Sequence, residues 1–189
     1  MKDNKNTKAD LPSSNQHWAH SICTIQSLSD ALSNPSITAI ETDILMGTDE
    51  TNVTNEKVVP IMAHPPATSS DLSTKRFFDM VMAERSYDVN SNPSKRKRLR
   101  KHIKLDFKEL DVVGPTLKYF VDIHNSCIDA QLDMDDKTIF LNADILPGPG
   151  CRNKPIIVES QHFIQTCFNS LNGQNIFQVR YYLFIYFQC

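Results

Sequence analysis

The 189-residue sequence lacks both a long apolar run and an excess of charge of one sign. A membrane-spanning helix needs about 18 or more consecutive apolar residues, so the sequence predicts no spanning segment. Twenty Lys and Arg residues against 22 Asp and Glu give a formal net charge of −2. No global field draws such a chain to nucleic acid or to an anionic membrane. We therefore expect no nucleic-acid partner.

Paired cysteines and an apolar N-terminal segment are also missing. The five cysteines are odd in number and scattered, without any CxxC pair, at Cys23, Cys127, Cys151, Cys167 and Cys189. This pattern argues against a zinc ribbon or a dense disulfide scaffold and favours buried thiols. The first residues are polar and lack the apolar segment of a signal peptide. On that feature alone, we expect a cytoplasmic protein.

The composition is that of an ordinary globular chain, with 40% apolar and 22% charged residues. Residues 1–15 are polar and without an apolar period, which predicts a disordered lead-in. Residues 16–175 form the predicted domain. Residues 176–189 form an apolar tail of divergent sequence.

Within the predicted domain, short β-type runs alternate with helical patterns. Trp18 to His20 is predicted to be the end of a strand. The other predicted strands are Ile37–Leu45, Val58–Ala63, Ile103–Phe107, Thr138–Leu146 and Ile156–Val158. The predicted helices are Ser27–Leu32, Leu72–Glu84, Pro115–Ile123 and Ser160–Ser170, and a polar loop is predicted over Gly47–Lys57. This alternation predicts an α/β fold in which helices cover a parallel sheet.

Ionisable and polar side chains recur at spacing two within these strands, and histidines follow two of them. The residues are His20, Glu41, Asp43, His64, Lys104, Asp106, Lys108, Asn142 and Asp144. Alternate residues of a strand face the same side, and the carboxyl ends of barrel strands converge on one mouth. Carboxylates are ligands for Mg²⁺ or Ca²⁺, histidines serve as acid, base or nucleophile, and lysines neutralise phosphate. Taken singly, each group is more typical of a solvated strand face or a structural histidine, and it is their recurrence at the same place in several strands that indicates a site.

A basic run from Lys95 to Lys101 stands apart from this pattern. Such a run is compatible with a nuclear-import or polyanion-binding segment. Because the motif is weakly specific, we favour a solvated loop or helix end.

Several segments closely resemble the menorin-like family, from about His17 to about Ser170. They are WAHSICTIQSLSDAL, AIETDI, PIMAHPPATSSDL, IKLDFKEL and LNADILPGPG. That family is similar to the phospholipase-C-like phosphodiesterases, which include glycerophosphodiester phosphodiesterases and spider-venom phospholipases D and have TIM-type (β/α)8 barrels. The resemblance implies a divalent Mg²⁺ or Ca²⁺ ion on Glu41, Asp43 and Asp106. It also implies catalytic roles for His20 and His64, and phosphate binding by Lys108, with Lys104 as a second candidate.

Two departures qualify the resemblance. His20 is followed by Ser21-Ile22, whereas the phosphodiesterases usually carry Arg-Gly there. A complete barrel takes about 250 residues, so we expect an incomplete barrel that lacks its last βα units. The tail over Tyr181–Phe187 is β-prone and is expected to cover part of the open edge as a makeshift strand.

Three functions fit these features. The first is metal-dependent cleavage of a phosphodiester, with a phospholipid or a glycerophosphodiester as substrate. The second is a non-enzymatic extracellular or cell-surface interaction module with a protein partner. The third is a truncated isoform without independent function. The resemblance implies an extracellular location, in contrast to the cytoplasmic location expected from the N-terminus.

Overall fold

The computed structural model describes residues 16–52, 57–86, 101–129, 138–145, 158–171 and 180–184. The lead-in predicted over residues 1–15 lies outside these ranges. The strands are β1 (Trp18–Ala19), β2 (Ala39–Asp49), β3 (Val58–Met62), β4 (Ser69–Ser70), β5 (His102–Phe107), β6 (Thr138–Ala143) and β7 (Arg180–Phe184). The helices are α1 (Ile25–Ser33), α2 (Thr74–Ser86), α3 (Val113–Asp129) and α4 (Ser160–Leu171). No helix within the described ranges is long and apolar enough to cross a membrane.

Five parallel strands form the main path of one sheet, in the order β1-β2-β5-β6-β7. Helices connect successive members of this path, which confirms the predicted α/β class with a mostly parallel sheet. Within the described residues, β1 and β7 are the two ends of the path. A closed TIM-type barrel is therefore not confirmed. β7 bears out the expected strand in the tail for residues 181–184, and it pairs in parallel with β6.

The β2–β3 region differs from the prediction. β3 is antiparallel to β2, with Ile44 opposite Met62 and Thr48 opposite Val58, so it forms a hairpin beside the parallel path. β2 also continues through Gly47, where the sequence predicts a loop. A Cβ atom on Gly47 would lie 2.4 Å from Ile61 Cδ1 and 2.6 Å from the Thr68 carbonyl oxygen. Glycine at this position permits close approach of the neighbouring chain segments, rather than marking the end of the strand.

One face of β2, β5 and β6 is apolar and packs against the helices. Its residues alternate along each strand, as expected for a period of two. They are Ile40, Ile44, Ile103, Leu105, Phe107, Ile139, Leu141 and Ala143, and they form one core with helix residues such as Leu28, Phe77, Leu117 and Phe163. The opposite face of the same strands is thus left to carry the polar residues.

Helix α1 begins at a capping box. The Thr24 hydroxyl accepts a hydrogen bond from the Ser27 backbone nitrogen over 3.1 Å, and the Thr24 nitrogen donates to the Ser27 hydroxyl. This reciprocal pair satisfies backbone groups that the helix leaves unpaired at its start. The cap sets where α1 begins, shortly after His20.

Lys101, the last residue of the basic run, has a structural role. Its side chain is buried, and its ammonium donates to the carbonyl oxygens of Asn34 and Ile37 over 2.8 Å each. Burial lowers the pKa of Lys101. The prediction of a solvated segment is therefore wrong for this residue, because the ammonium secures the chain between α1 and β2. Residues 95–100 lie outside the described ranges.

Val158, the last residue of the strand predicted over Ile156–Val158, does not lie in a strand. Val158 is buried in a bend just before α4, and residues 156 and 157 lie outside the described ranges. An apolar triplet is compatible with either a strand or a buried turn. Here the Glu159 carboxylate accepts hydrogen bonds from the backbone nitrogens of Gln161 and His162, so the segment starts a helix.

Candidate functional site

The polar residues of the sheet form two rows across its strands. Parallel pairing sets Asp43 of β2 opposite Asp106 of β5, and Asp106 opposite Asn142 of β6. One step nearer the amino ends of the strands, Glu41 lies opposite Lys104. The spacing of two within each strand and the register between strands place these side chains together on the face opposite the core.

Lys108 connects two carboxylates of the first row. Its ammonium nitrogen lies 2.9 Å from Asp43 Oδ1 and 3.0 Å from Asp106 Oδ2. Asn142 Nδ2 donates to the other oxygen of Asp106 over 2.7 Å. Asp43, Asp106 and Lys108 are only 5%, 4% and 7% exposed. This is a buried ionic cluster, and a buried charge of this kind requires partners to be tolerated.

Burial and charge act in opposite directions on Lys108. Burial alone lowers the pKa of its ammonium, but the carboxylates of Asp106 and Asp43 outweigh burial, and the pKa is raised. Lys108 therefore keeps its positive charge at neutral pH. The cluster contains a permanent cation in contact with two acidic side chains.

Glu41 is held by two other groups. Lys104 Nζ donates to Glu41 Oε1 over 2.8 Å, and His20 Nδ1 hydrogen-bonds to Glu41 Oε2. Burial acts to raise the pKa of Glu41, but the hydrogen bonds from Lys104 and His20 outweigh it and lower the pKa. The carboxylate accepts from Nδ1, which leaves Nε2 of a neutral His20 ring as its basic nitrogen.

His20 lies at the exposed end of this polar face. Its ring stacks on Trp18, with centroids 6.2 Å apart, and Trp18 also contacts Phe140 at 5.9 Å. The following residue, Ser21, has a φ of 53°, a left-handed conformation that is uncommon outside glycine. The turn at Ser21 leads the chain from His20 into the α1 cap.

His64 is placed differently from the other predicted site residues. It follows the β2–β3 hairpin rather than a strand of the parallel path. Its side chain is exposed, and Nδ1 hydrogen-bonds to the Pro65 carbonyl oxygen over 2.6 Å. The backbone nearby is fixed to the site, because the Ala63 nitrogen donates to the Asp43 carbonyl oxygen over 3.0 Å. In the part of the chain that the structure describes, the other six predicted residues form two contact groups, and the His64 ring belongs to neither. The groups are His20, Glu41 and Lys104, and Asp43, Lys108 and Asp106.

Asn142 and Asp144 belong to the site, although sequence analysis assigned them no role. Asn142 fixes Asp106, as described above. Burial raises the pKa of Asp144, and the nearby charges of Lys108 and Asp106 act on it in opposite directions. Asn142 Oδ1 and Asp144 Oδ1 are buried and accept no hydrogen bond within the described residues. The spacing of two at the carboxyl end of β6 is the signal that identifies both residues.

Cys23 is a site neighbour that sequence reasoning missed. Burial raises the pKa of its thiol, which lies beside Asp43, Thr42 and the charge of Lys108. Burial also raises the pKa of Cys167, to about 12. Both thiols are free; Cys167 is buried, as the sequence predicts, whereas Cys23 is only partly buried. The side chains of Cys127, Cys151 and Cys189 lie outside the described set.

The donor chemistry of the first row fits a divalent cation. Asp43 and Asp106 already converge on one cationic atom, the Lys108 ammonium nitrogen, which serves as a stand-in ion. Glu41, the third predicted ligand, is engaged by Lys104 and His20 in the adjacent row. Across the described ranges, no three His, Cys, Asp or Glu side chains are grouped closely enough to hold an ion as they stand. A metal on all three carboxylates therefore remains a prediction.

Comparison with known proteins decides the family. The model of the Menorin N-terminal domain matches residues 13–176, which include β1 to β6. The chain belongs to the menorin family. It is also similar to the human protein "Protein FAM151B", with 32% identity over 127 residues. That match covers 67% of this chain and 36% of the relative, so the aligned part is about a third of the relative's length. No solved structure matches the chain.

Proposed function

We propose that this menorin-family chain binds a phosphodiester at the polar face of its sheet and cleaves it with the help of a divalent ion. The observation that supports the proposal best is the convergence of Asp43 and Asp106 on a single cationic atom, at 2.9 and 3.0 Å. Two carboxylates from neighbouring parallel strands that point at one position supply oxygen ligands of the kind that Mg²⁺ or Ca²⁺ prefers, which supports the proposal. Glu41, from the same face, is the proposed third ligand.

The cationic side chains suit an anionic substrate. Lys104 lies on β5 and Lys108 directly follows this strand, and their charges lie among the acidic groups rather than in solvent. Both are proposed to bind phosphate oxygens, Lys108 first because it lies at the carboxyl end of the strand. A divalent ion bound beside them would polarise the phosphoryl oxygens and screen their charge.

His20 is the better placed of the two predicted catalytic histidines. Glu41 accepts a hydrogen bond from Nδ1 and so fixes the ring orientation, which leaves Nε2 available to take a proton. His64 is proposed as the partner acid or base. It follows a segment whose backbone is hydrogen-bonded to Asp43, and its ring is exposed to solvent.

Metal binding is the first test. In titration calorimetry, the wild-type chain should give saturable heats with Mg²⁺ or Ca²⁺, and the double variant Asp43→Asn, Asp106→Asn should give none. The control double variant Asp79→Asn, Asp122→Asn removes the same charge from exposed positions on α2 and α3 and should bind as the wild type does. Equal heats from the wild type and the site variant would reject the metal site.

Turnover is the second test, on a panel of lysophospholipids and glycerophosphodiesters. His20→Ala and His64→Ala should each lower the rate by about 100-fold or more, the usual loss for a general acid or base. His162→Ala, an exposed histidine on α4, is the control and should retain full rate. Retained activity in both site variants would reject the assigned roles.

A non-enzymatic interaction module is the second candidate, and α4 favours it. Ile164 and Phe168 are one helical turn apart on α4 and are 48% and 61% exposed. Large apolar side chains exposed together are typical of interaction surfaces. Such a module requires folding and a partner surface but neither metal nor histidine. A chain that folds cooperatively, yet releases no head group from any phosphodiester with Mg²⁺ or Ca²⁺ present, would favour this function over the first.

A further inference from the structure

Lys108 lies where a divalent ion would have to bind. Its ammonium contacts one oxygen each of Asp43 and Asp106, and all three side chains are buried. A metal ion held by the same carboxylates needs these oxygens at about 2.0–2.6 Å. An ammonium and a divalent ion do not share such a space, because like charges a few ångströms apart in a buried site repel strongly.

We propose that Lys108 is an exchangeable counter-ion of the Asp43–Asp106 pair. Without metal its ammonium holds the two carboxylates together. When a divalent ion binds, the ammonium is displaced from the pair and becomes available to an anion at the mouth. This inference rests on the proposed function, because it assigns the ion to the same pair of carboxylates.

The surroundings of Lys108 allow the ammonium to move while the carboxylates stay in place. The Lys108 backbone nitrogen donates to the Ile44 carbonyl oxygen over 2.9 Å, which anchors the main chain to β2. Asn142 holds Asp106 through the oxygen that Lys108 does not contact. Lysine carries a compact charge on a flexible four-carbon stem, so rotation of the side chain alone can release the pair.

Exchange couples two ligands. A divalent ion on the carboxylate pair frees the Lys108 ammonium to bind an anion. An anion bound to this ammonium in turn keeps it away from the carboxylates, where it competes with the divalent ion. By thermodynamic linkage, each ligand must then raise the affinity for the other by the same factor. Inorganic phosphate therefore serves as the probe for the anion and Mg²⁺ as the probe for the cation.

Calorimetry tests the competition. Lys108→Met should bind Mg²⁺ between about 5- and 150-fold more tightly than the wild type, the usual range for coupled sites. Lys75→Met removes the same charge from an exposed ion pair on α2 and should bind Mg²⁺ like the wild type. Phosphate should tighten Mg²⁺ binding by the wild type and have a smaller effect on Lys108→Met.

Displacement is followed directly in the wild-type chain by NMR of the lysine ammonium groups, labelled with ¹⁵N. The Lys108 signal is assigned by its absence from Lys108→Arg. It should change during a Mg²⁺ titration, with the same midpoint as the calorimetric curve. This measurement decides the question even if Lys108→Met fails to fold.

The outcomes separate the two proposals. Mg²⁺ binding with an unchanged Lys108 signal, or with equal affinity in wild type and a folded Lys108→Met, overturns the exchange and leaves the proposed metal site standing. Binding by Lys108→Met but not by the wild type overturns the exchange, because Lys108 is then a fixed counter-ion that the divalent ion does not displace. An absence of binding in every folded chain, with the Lys108 signal unchanged, overturns both proposals.

Discussion

The two faces of the same strands differ in chemistry although both are largely buried. On β5, Ile103, Leu105 and Phe107 face the helices, while Lys104 and Asp106 face the opposite side with Lys108 beyond the strand end. Burial of the apolar face is favourable in itself, at about 25 cal/mol per Å² of apolar surface. Burial of the polar face costs free energy that ion pairs and hydrogen bonds must offset. Stability is therefore expected to depend mainly on one face and function on the other.

The largest effect is expected on the apolar face. Leu105 is fully buried between the sheet and the helices, and Leu105→Ala leaves a cavity there. We expect the free energy of unfolding to fall by about 2–5 kcal/mol, from lost burial and the cavity together. Urea denaturation followed by circular dichroism measures the change. Ile164→Ala, on the exposed face of α4, is the control and should change stability by about 0.5 kcal/mol or less. A comparable loss in both variants would contradict the contrast between core and surface.

The apolar face was also the part that the sequence predicted best. Alternation with period two is a local property, so Ile103–Phe107 and Thr138–Leu146 could be recognised as strands without any knowledge of their neighbours. The same alternation predicted that Glu41 and Asp43, or Lys104 and Asp106, share a face. Parallel pairing then brought the strands together in register, and the acidic residues with them.

Some properties that depend on tertiary structure were not predicted. The apolar run over Val58–Met62 does not encode its direction, so the antiparallel hairpin with β2 was missed, and with it the position of His64. Lys101 ends a basic run that favours solvent, yet the carbonyl groups of Asn34 and Ile37 provide it with buried acceptors. The spacing of two predicted that Lys108 lies beside Asp106, but its contact with Asp43 depends on the pairing of β2 with β5.

A smaller effect is expected on the polar face, from Asn142→Ala. The substitution removes the donor to Asp106 Oδ1 and leaves a buried carboxylate oxygen without it. Hydrogen bonds to charged groups contribute about 1.5–3 kcal/mol, and we expect a loss of that order in urea denaturation. Asn169→Ala, on the exposed side of α4, removes only an acceptor for Gln165 and should have little effect. If Asn142→Ala unfolds at the same urea concentration as the wild type, Asn142 does not position Asp106.

The smallest effect is expected for two carboxylates of the polar face, Glu41 and Asp144. Their contributions to stability should change with pH in opposite directions. The pKa of Glu41 is lowered from 4.5, because hydrogen bonds from Lys104 and His20 outweigh burial. The pKa of Asp144 is raised from 3.8, chiefly by burial. A lowered pKa in the folded chain gives stability that is present above pH 4.5 and is lost as the pH falls through the folded pKa. A raised pKa has the opposite effect: stability falls as the pH rises from 3.8 through the folded pKa.

Glu41→Gln and Asp144→Asn should therefore shift the melting temperature in opposite directions at pH 7. Glu41→Gln loses the charged partner of Lys104 and should melt below the wild type, with a difference that narrows on acidification below pH 4.5. Asp144→Asn loses a carboxylate whose charged form is disfavoured by burial and should melt above the wild type, with a difference that disappears below pH 3.8. Asp122→Asn, exposed on α3, is the control. Thermal melting between pH 3 and 7 measures all four chains. Shifts of the same sign in both site variants would contradict the prediction that the folded chain stabilises the charged form of Glu41 and destabilises that of Asp144.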